Sequence, residues 1–262
     1  MNNLRTYGDA PYRVAVIHGG PGAPGEMAPV ARELSPNIGV LEPLQTADSI
    51  NGQVAELKNV LEKSGNPPIT LIGFSWGAWL SFIFAARHPS MVKKLILVSS
   101  GPFDEKYVAQ IMETRFKHLN ADEQNEALLL FSTLDSACMK GNRFIRFGEL
   151  MDKADSFDSL PHDSETLPGN PDIYQKVWAE ASKMRRSRKL LNLGKMIRCP
   201  VVAIHGDYDP HPAVGVQEPL SRVLQDFRFI LLEKCGHHPW FERQAKQQFY
   251  DVLGKEIERM DD

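Results

Sequence analysis

The sequence feature that most constrains the fold is a serine between two glycines, Gly73-Phe74-Ser75-Trp76-Gly77, at the end of an apolar run. Residues 69–72 have the composition of a buried β-strand, and the residues after Ser75 have that of a buried helix. Ser75 is therefore expected on a strand-to-helix turn so tight that only glycine fits two positions away on either side. Such a turn raises the serine hydroxyl above the sheet edge and directs the first helical N–H groups towards its surroundings.

A serine raised in this way can act as a nucleophile if the chain also supplies a base, a carboxylate to orient the base, and donors for an oxyanion. Candidates follow other strand-like runs, in the chain order Ser, Asp, His. One is the glycine-rich turn of residues 18–22, after the apolar run 14–17. In a serine hydrolase the Gly20 N–H would be one oxyanion donor and the Trp76 N–H the other. Taken alone, the turn is equally consistent with an ordinary strand end.

Composition excludes several other classes of protein. The chain has 262 residues, enough for one large core or for one core and a small accessory domain. A net charge of −3 gives no electrostatic reason to expect nucleic acid or an anionic membrane as a partner. The N-terminal residues are polar, no apolar stretch has the length of a membrane span, and the three cysteines are far apart. We therefore expect a cytoplasmic protein with reduced thiols.

Six short apolar runs have the character of strands: residues 14–17, 38–41, 69–72, 94–98, 200–204 and 227–232. Only about a dozen residues precede the first run, which leaves little room for further strands. After the fourth run the pattern changes, because strand-like runs disappear and helical periodicity dominates. We expect a core of residues 1–103 and 197–262, with a helical cap of residues 104–196 inserted after the fourth predicted strand.

The loops after the last two predicted strands carry histidines next to carboxylates, in residues 205–212 and 233–242. A metal site is one interpretation of these histidines, but no His-x-x-x-His helix and no cysteine pair accompany them. We therefore expect neither a metal nor a cofactor. His211 and His238 are interpreted as pocket or loop residues, and His88, which precedes a proline, as the end of a helix.

Taken together, these motifs resemble those of the α/β-hydrolase superfamily, over roughly residues 12–103 and 197–260. The resemblance implies an α/β-hydrolase fold, with a mostly parallel sheet of about six strands flanked by helices. His-Gly-Gly-Pro-Gly at residues 18–22 and Gly-x-Ser-Trp-Gly at residues 73–77 are similar to the proline iminopeptidase branch. The family pattern Gly-x-x-Asp matches residues 206–209 and implies Asp209 as the orienting acid. The pattern Gly-His-x-Pro matches residues 236–239 and implies His237 as the base.

Two other acids compete with Asp209 for the orienting role. Asp207 directly follows the glycine that ends the predicted strand and is suited to a turn. Asp209 lies further along the loop and precedes Pro210, whose ring restricts the backbone before it. Asp104, just beyond the fourth predicted strand, is an outside candidate. The choice of Asp209 rests on its reach and on the family pattern.

The chain departs from the iminopeptidase pattern in two respects. Residues 42–47, Glu-Pro-Leu-Gln-Thr-Ala, replace a charged Asp-x-Arg-Gly-x-Gly-x-Ser loop, and no cap acid matches a motif for holding a substrate amine. The resemblance therefore implies a serine hydrolase in which Ser75, His237 and Asp209 cleave an ester or amide of a small molecule or short peptide. An iminopeptidase-type aminopeptidase is the alternative. A catalytically inactive binding protein of the same fold is the third hypothesis, and the intact Ser, Asp and His argue against it.

Overall fold

The computed structural model of the protein describes residues 3–22, 24–131, 142–162 and 165–259. Its strands are β1 (Leu4–Tyr7), β2 (Tyr12–Ile17), β3 (Gly39–Pro43), β4 (Ile69–Phe74), β5 (Val92–Val98), β6 (Val201–Gly206) and β7 (Phe227–Leu232). Within these residues they form one seven-stranded sheet in the order β1-β3-β2-β4-β5-β6-β7. β1 pairs with β3 in the antiparallel direction, and all other neighbouring pairs are parallel.

The predicted mostly parallel α/β sheet is confirmed, and its six predicted strands correspond to β2–β7. The expectation of little room for further strands missed one strand, because β1 pairs with the outer side of β3. This short edge strand is only half-buried and mixes polar with apolar residues. It therefore lacks the continuous apolar run that marks the central, buried strands.

Helices cover both faces of the sheet. The α-helices of the described residues are α1 (Ala28–Leu34), α2 (Ile50–Ser64), α3 (Trp76–Arg87), α4 (Val108–His118), α5 (Ala121–Phe131), α6 (Asn142–Ala154), α7 (Pro171–Arg186), α8 (Lys189–Asn192), α9 (Val214–Ser221) and α10 (Lys246–Glu258). Because strand side chains alternate, Ala15 and Ile17 of β2 pack on the side of α2 and α3. Val14 and Val16 pack on the opposite side, with α1 and α10. α3 is buried from Trp76 to Ala86.

The described residues between β5 and β6 contain helices and loops, with one isolated bridge between Ser159 and Glu242. α4, α5 and α6 share a small apolar cluster that is separate from the two clusters of the sheet. A capping box stands at the start of α5. The side chain of Asn120 accepts from the Glu123 N–H, and the side chain of Glu123 accepts from the Asn120 N–H.

Asn170 caps α7, because its side-chain oxygen accepts from the backbone N–H groups of Asp172 and Ile173. The basic residues at and just after the end of α7 are exposed, except for Arg185. Arg185 is buried, pairs with Glu105 at 2.7 Å and lies over the Trp79 ring. Among the described helices, none combines the length and apolar character that a membrane span requires.

Candidate active site

Ser75 lies on the tight turn between β4 and α3. Its backbone has φ 50° and ψ −111°, a conformation that non-glycine residues rarely adopt. The flanking glycines are required by close packing, because a Cβ on Gly73 would meet the Gly77 carbonyl and a Cβ on Gly77 would meet the Ile17 carbonyl. The turn is held to the next strand by a hydrogen bond of 3.0 Å from the Ser75 N–H to the Val98 carbonyl.

The turn after β2 lies directly against the Ser75 turn, since Gly77 approaches both the Ile17 and His18 carbonyls. Gly20 has a positive φ of 39°. The buried His18 ring accepts the Gln45 N–H at Nε2, 3.3 Å away, so its Nδ1 proton is donated to the Gly19 carbonyl at 2.6 Å. Burial lowers the pKa of His18 to about 4, which leaves the ring neutral. The structure thus places Gly20 and Trp76 on two adjoining segments.

Asp209 and His237 are brought together from the loops after β6 and β7. His237 Nδ1 donates to Asp209 Oδ2 at 2.8 Å, and the Asp209 side chain is fully buried. Burial alone would raise the pKa of Asp209, but the imidazoles of His237, His205 and His211 outweigh burial and hold it well below its usual range. Asp209 is therefore an anion at neutral pH.

The other two acids lie elsewhere. Asp207 accepts the Cys235 N–H at 3.1 Å and so joins the two loops through the backbone. Asp104 accepts the Lys106 N–H at 3.2 Å and caps a short 3₁₀ helix. Among the three candidate acids, Asp209 is the one that bonds His237.

The ring of His237 packs against Phe74, the residue before Ser75, with 4.9 Å between ring centroids. This contact puts the imidazole at the same sheet edge as the Ser75 turn. His88 lies at the C-terminal end of α3, whereas Ser75 precedes its N-terminal end. The expectation that His88 is a helix-end residue agrees with this position.

Sequence reasoning missed Glu26, which joins two loops of the site. One of its carboxylate oxygens accepts the Gly19 N–H at 3.1 Å, and the other lies 3.1 Å from His238 Nε2. Burial opposes the charged forms of both groups, but their mutual attraction outweighs it, so the pKa of Glu26 is lowered and that of His238 is raised. No local signal could have found this pair, because its partners are 212 positions apart.

A second set of missed residues attaches the segment after α6 to the loop after β7, which carries His237 and is called the histidine loop. The Asp155 carbonyl accepts the His237 N–H at 2.7 Å. The Asp155 carboxylate forms a two-point pair with Arg115 of α4, with both bonds at 2.6 Å. The buried Glu242 carboxylate accepts the N–H groups of Phe157 and Asp158 at 2.8 Å each and that of Gly236 at 3.0 Å. The position of His237 therefore depends on residues of the helical segment.

A cavity of about 530 Å³ lies beside these loops. His238 and Glu26 form part of its wall, and His118, Phe157 and Tyr208 form another part. The Tyr208 ring is stacked on His118, with 3.7 Å between centroids, and contacts the edge of Phe157. The cavity thus lies between the helical segment and the loops that carry Asp209 and His237.

The possible metal ligands in the described residues belong to the same loops. Atoms of Asp209, His211 and His237 lie within 4.8 Å of one another, a spacing compatible with a metal ion. Both imidazoles already bond the Asp209 carboxylate directly through Nδ1. A metal at this position would have to replace both hydrogen bonds.

This arrangement has a mostly parallel sheet, a serine on a strand-to-helix turn, and an acid and a histidine on later loops at the same edge, an order typical of α/β-hydrolases. The family model described as alpha/beta hydrolase fold matches residues 42–244. The chain belongs to this family of enzymes, and the resemblance found in its motifs is confirmed.

Comparison with individual proteins gives more distant similarities. A monoacylglycerol lipase of Xenopus laevis is 25% identical over 204 residues, covering 76% of this chain and 58% of the lipase. The chain thus spans 58% of the length of the monoacylglycerol lipases it matches. A proline iminopeptidase of Lactobacillus delbrueckii subsp. bulgaricus is 26% identical, covering 95% of this chain and 93% of the iminopeptidase. The crystal structure of VinJ superposes with a TM-score of 0.71 at 18% identity, covering 98% and 94% of the two chains.

Proposed function

We propose that the protein is a serine hydrolase that cleaves an ester or amide bond of a small molecule or short peptide through an acyl-enzyme. The observation that carries the proposal is the hydrogen bond of 2.8 Å between Asp209 and His237, with the His237 ring packed against the residue that precedes Ser75. A buried anion, an imidazole and a serine on a tight turn are the groups that acyl transfer requires.

In the proposed mechanism, Ser75 is the nucleophile, His237 the general base and Asp209 the orienting acid. The Asp209 carboxylate accepts a hydrogen bond from the Nδ1–H of His237. The Nε2 atom of His237 therefore has the free lone pair. Nε2 removes the Ser75 proton as the hydroxyl oxygen attacks the substrate carbonyl, and the resulting imidazolium then protonates the leaving group. Water cleaves the acyl-enzyme by the same steps, and Ser75 regains its proton.

The backbone N–H groups of Gly20 and Trp76 are proposed as the donors to the oxyanion of the tetrahedral intermediate. The close approach of Gly77 to the Ile17 and His18 carbonyls supports this assignment, because it fixes the two segments against each other. Such rigid donors need no rearrangement when charge develops on the substrate oxygen, and one donor contributes about 3–4 kcal/mol.

We also propose that residues 104–196 act as a cap over this site. The contacts of Asp155, Phe157 and Asp158 with the histidine loop support this proposal. A second contact joins this segment to the core, because Trp178 of α7 stacks on Trp79 of α3, with 5.6 Å between ring centroids. Substitutions on the inner face of the cap should change the preference among substrates more than the reactivity of Ser75.

The second candidate is an aminopeptidase of the proline iminopeptidase type. It is favoured by the match to the Lactobacillus enzyme over nearly the whole of both chains. The cavity next to His238 also presents the carboxylates of Glu26, Asp152 and Glu165, and a carboxylate is what a free substrate ammonium requires. The first candidate remains preferred because the monoacylglycerol lipase similarity points to esters and the residues 42–47 depart from the iminopeptidase pattern.

The test is hydrolysis of a panel of p-nitrophenyl esters and aminoacyl arylamides by the wild-type protein and by two serine variants. Ser75→Ala should lower ester turnover on the order of 10⁶-fold, because the acyl-enzyme can no longer form. Ser90→Ala, an exposed serine beyond the other end of α3, is the matched control and should behave like wild type. Turnover that survives in Ser75→Ala would overturn the assignment, and no turnover by wild type would favour the binding protein. Faster cleavage of unblocked prolyl arylamide than of any ester would favour the aminopeptidase.

A further inference from the structure

A second imidazole bonds the carboxylate that orients His237. His211 donates to Asp209 Oδ1 twice, from its backbone N–H at 2.9 Å and from its ring Nδ1 at 2.8 Å. His237 Nδ1 bonds the other oxygen, Oδ2, also at 2.8 Å. Each oxygen of the buried carboxylate therefore bonds one histidine ring, and His205 Nε2 lies 3.5 Å from Oδ2.

The Asp209 carboxylate determines which nitrogen carries a proton in the rings of His211 and His237. An ionised carboxylate can only accept hydrogen bonds, so Nδ1 of His211 and Nδ1 of His237 each carry a proton. A third histidine fixes the backbone at this point, because Nε2 of the buried His205 lies 2.7 Å from the His211 carbonyl and donates to it. With its proton on Nε2, the Nδ1 atom of His205 is a bare acceptor, and it has no partner among the described residues.

His211 also lies against the proposed base itself. The two rings are nearly parallel, at an angle of 28°, with 4.5 Å between their centroids. The charged or titratable groups that face His211 are Asp209 on its own loop, His205 at the end of β6, His237 on the loop after β7 and Arg115 of α4. A neutral His211 donates to Asp209 without adding a charge beside His237.

We propose that His211 is a positioning residue, which holds Asp209 with Oδ2 turned towards His237 and thereby sets the basicity of His237. This inference rests on the proposed function, in which His237 is the base. If the His211 donor is removed, the Asp209 anion loses one of its neutralising partners and interacts more strongly with the His237 imidazolium. The pKa of His237 should then rise, and the acidic limb of the pH–rate profile should move to higher pH.

Three substitutions separate the hydrogen bond from the packing of the ring. His211→Asn places an amide nitrogen on the same side-chain branch as Nδ1, so it keeps a donor and loses the ring. His211→Phe keeps an aromatic ring against His237 and loses the donor. His211→Ala loses both, and each variant keeps the backbone N–H.

The measurement is kcat and KM as functions of pH for an ester, at matched folded fraction. His211→Phe and His211→Ala should have kcat lowered roughly 10- to 100-fold, as expected for loss of a hydrogen bond to a charged group. In both, KM should change little and the acidic limb should lie at higher pH. His211→Asn should restore kcat to within about threefold of wild type, with the limb near its wild-type position. A His211→Phe variant that is as active as wild type, with an impaired His211→Asn variant, would show that the ring only fills space and would overturn the inference.

A second readout does not depend on turnover. NMR titration of the His237 imidazole should give a higher pKa in His211→Phe than in wild type, and a value close to wild type in His211→Asn. Equal values in all three proteins overturn the inference, whether or not the protein hydrolyses esters. A wild-type protein without Ser75-dependent turnover but with the expected His237 titration would refute the proposed function alone. If activity is lost on treatment with EDTA and restored by zinc, Asp209, His211 and His237 would be reassigned to metal binding. That result would also overturn the inference about His211.

Discussion

The turns at the edge of the sheet and the helical segment between β5 and β6 are built in different ways. The turns depend on backbone packed against backbone: a Cβ on Gly77 would meet the Ile17 carbonyl, and a Cβ on Gly206 would meet the Cys235 carbonyl. In the helical segment, a Cβ on Gly148 of α6 would meet no atom of the described residues within 4 Å. The turns therefore tolerate almost no change of side chain at these two glycines, whereas α6 has room for a larger side chain at Gly148.

The part of the helical segment after α6 is joined to the turns through polar groups, whereas α7 packs on α3 through the rings of Trp178 and Trp79. Glu242 binds the backbone of Phe157 and Asp158, and the Asp155 carbonyl accepts the His237 N–H. Hydrogen bonds of this kind fix position without requiring a particular apolar surface on either side. One region can therefore keep its chemistry constant while the other varies. We expect substitutions in the turns to abolish activity and those in the helical segment to alter stability or selectivity.

The largest effect should come from the orienting acid. Asp209→Asn should lower kcat by about 10⁴-fold, because the imidazole loses the anion that holds its tautomer and stabilises its charge. Asp207→Asn, two positions away in the same loop, is the matched control and should act mainly on stability through the Cys235 N–H. The measurement is ester turnover of the two variants at equal folded fraction. A greater loss of turnover in Asp207→Asn than in Asp209→Asn would show that Asp209 is not the orienting acid.

A pair of glycine substitutions tests the comparison of the two regions by stability. Gly77→Ala should destabilise the protein by about 3 kcal/mol or more, because its methyl group meets the backbone carbonyls of Ile17 and His18. Gly148→Ala should stabilise it by about 0.5–1 kcal/mol, since alanine in an open helical position restricts the unfolded chain. Urea unfolding measures both, and similar effects in the two variants would remove the distinction between the regions.

The junction between the regions can be weakened at Glu242. In Glu242→Gln the amide nitrogen replaces an acceptor oxygen, so one of the bound N–H groups faces a donor, at a cost of about 1–3 kcal/mol. Hydrogen exchange should speed up at Phe157 and Asp158 more than in the sheet. Glu258→Gln, an exposed acid at the end of α10, serves as the control. Uniform exchange throughout the molecule would contradict a local role for Glu242.

The smallest effect concerns the Glu26–His238 pair. The pKa of His238 is raised above its ordinary value of 6.5, so this stabilisation is complete below that value and is lost as the pH rises through the folded-state pKa. The pKa of Glu26 is lowered from its ordinary 4.5, so its part is lost only as the pH falls below that value. His238→Gln should therefore cost most between about pH 4.5 and 6.5, by less than about 1 kcal/mol, and less at pH 8.5. The same pH dependence in a Glu26→Gln background would show that the pair is not its source.

The parts of the site that could be predicted from the sequence are those with a local signature. The Ser75 turn follows from two glycines at fixed spacing, and the Asp209 and His237 loops follow from short motifs after apolar strands. The missed partners are mostly distant in the chain, as with Glu26 and His238. His211 is different, because an Asp side chain that accepts the N–H two residues later is a common turn feature that the sequence allows. The ring contact of His211 with the same carboxylate depends on the fold and has no such signal.

Ser75 is the proposed nucleophile, activated by His237. The most direct measurement is peptide mapping by mass spectrometry after reaction with a fluorophosphonate, for wild type and His237→Gln at the same pH. The adduct should lie on the peptide that contains Ser75, and it should form far more slowly in His237→Gln because the serine proton has no acceptor. An adduct on another residue, or an equal rate of formation in the two proteins, would contradict the account.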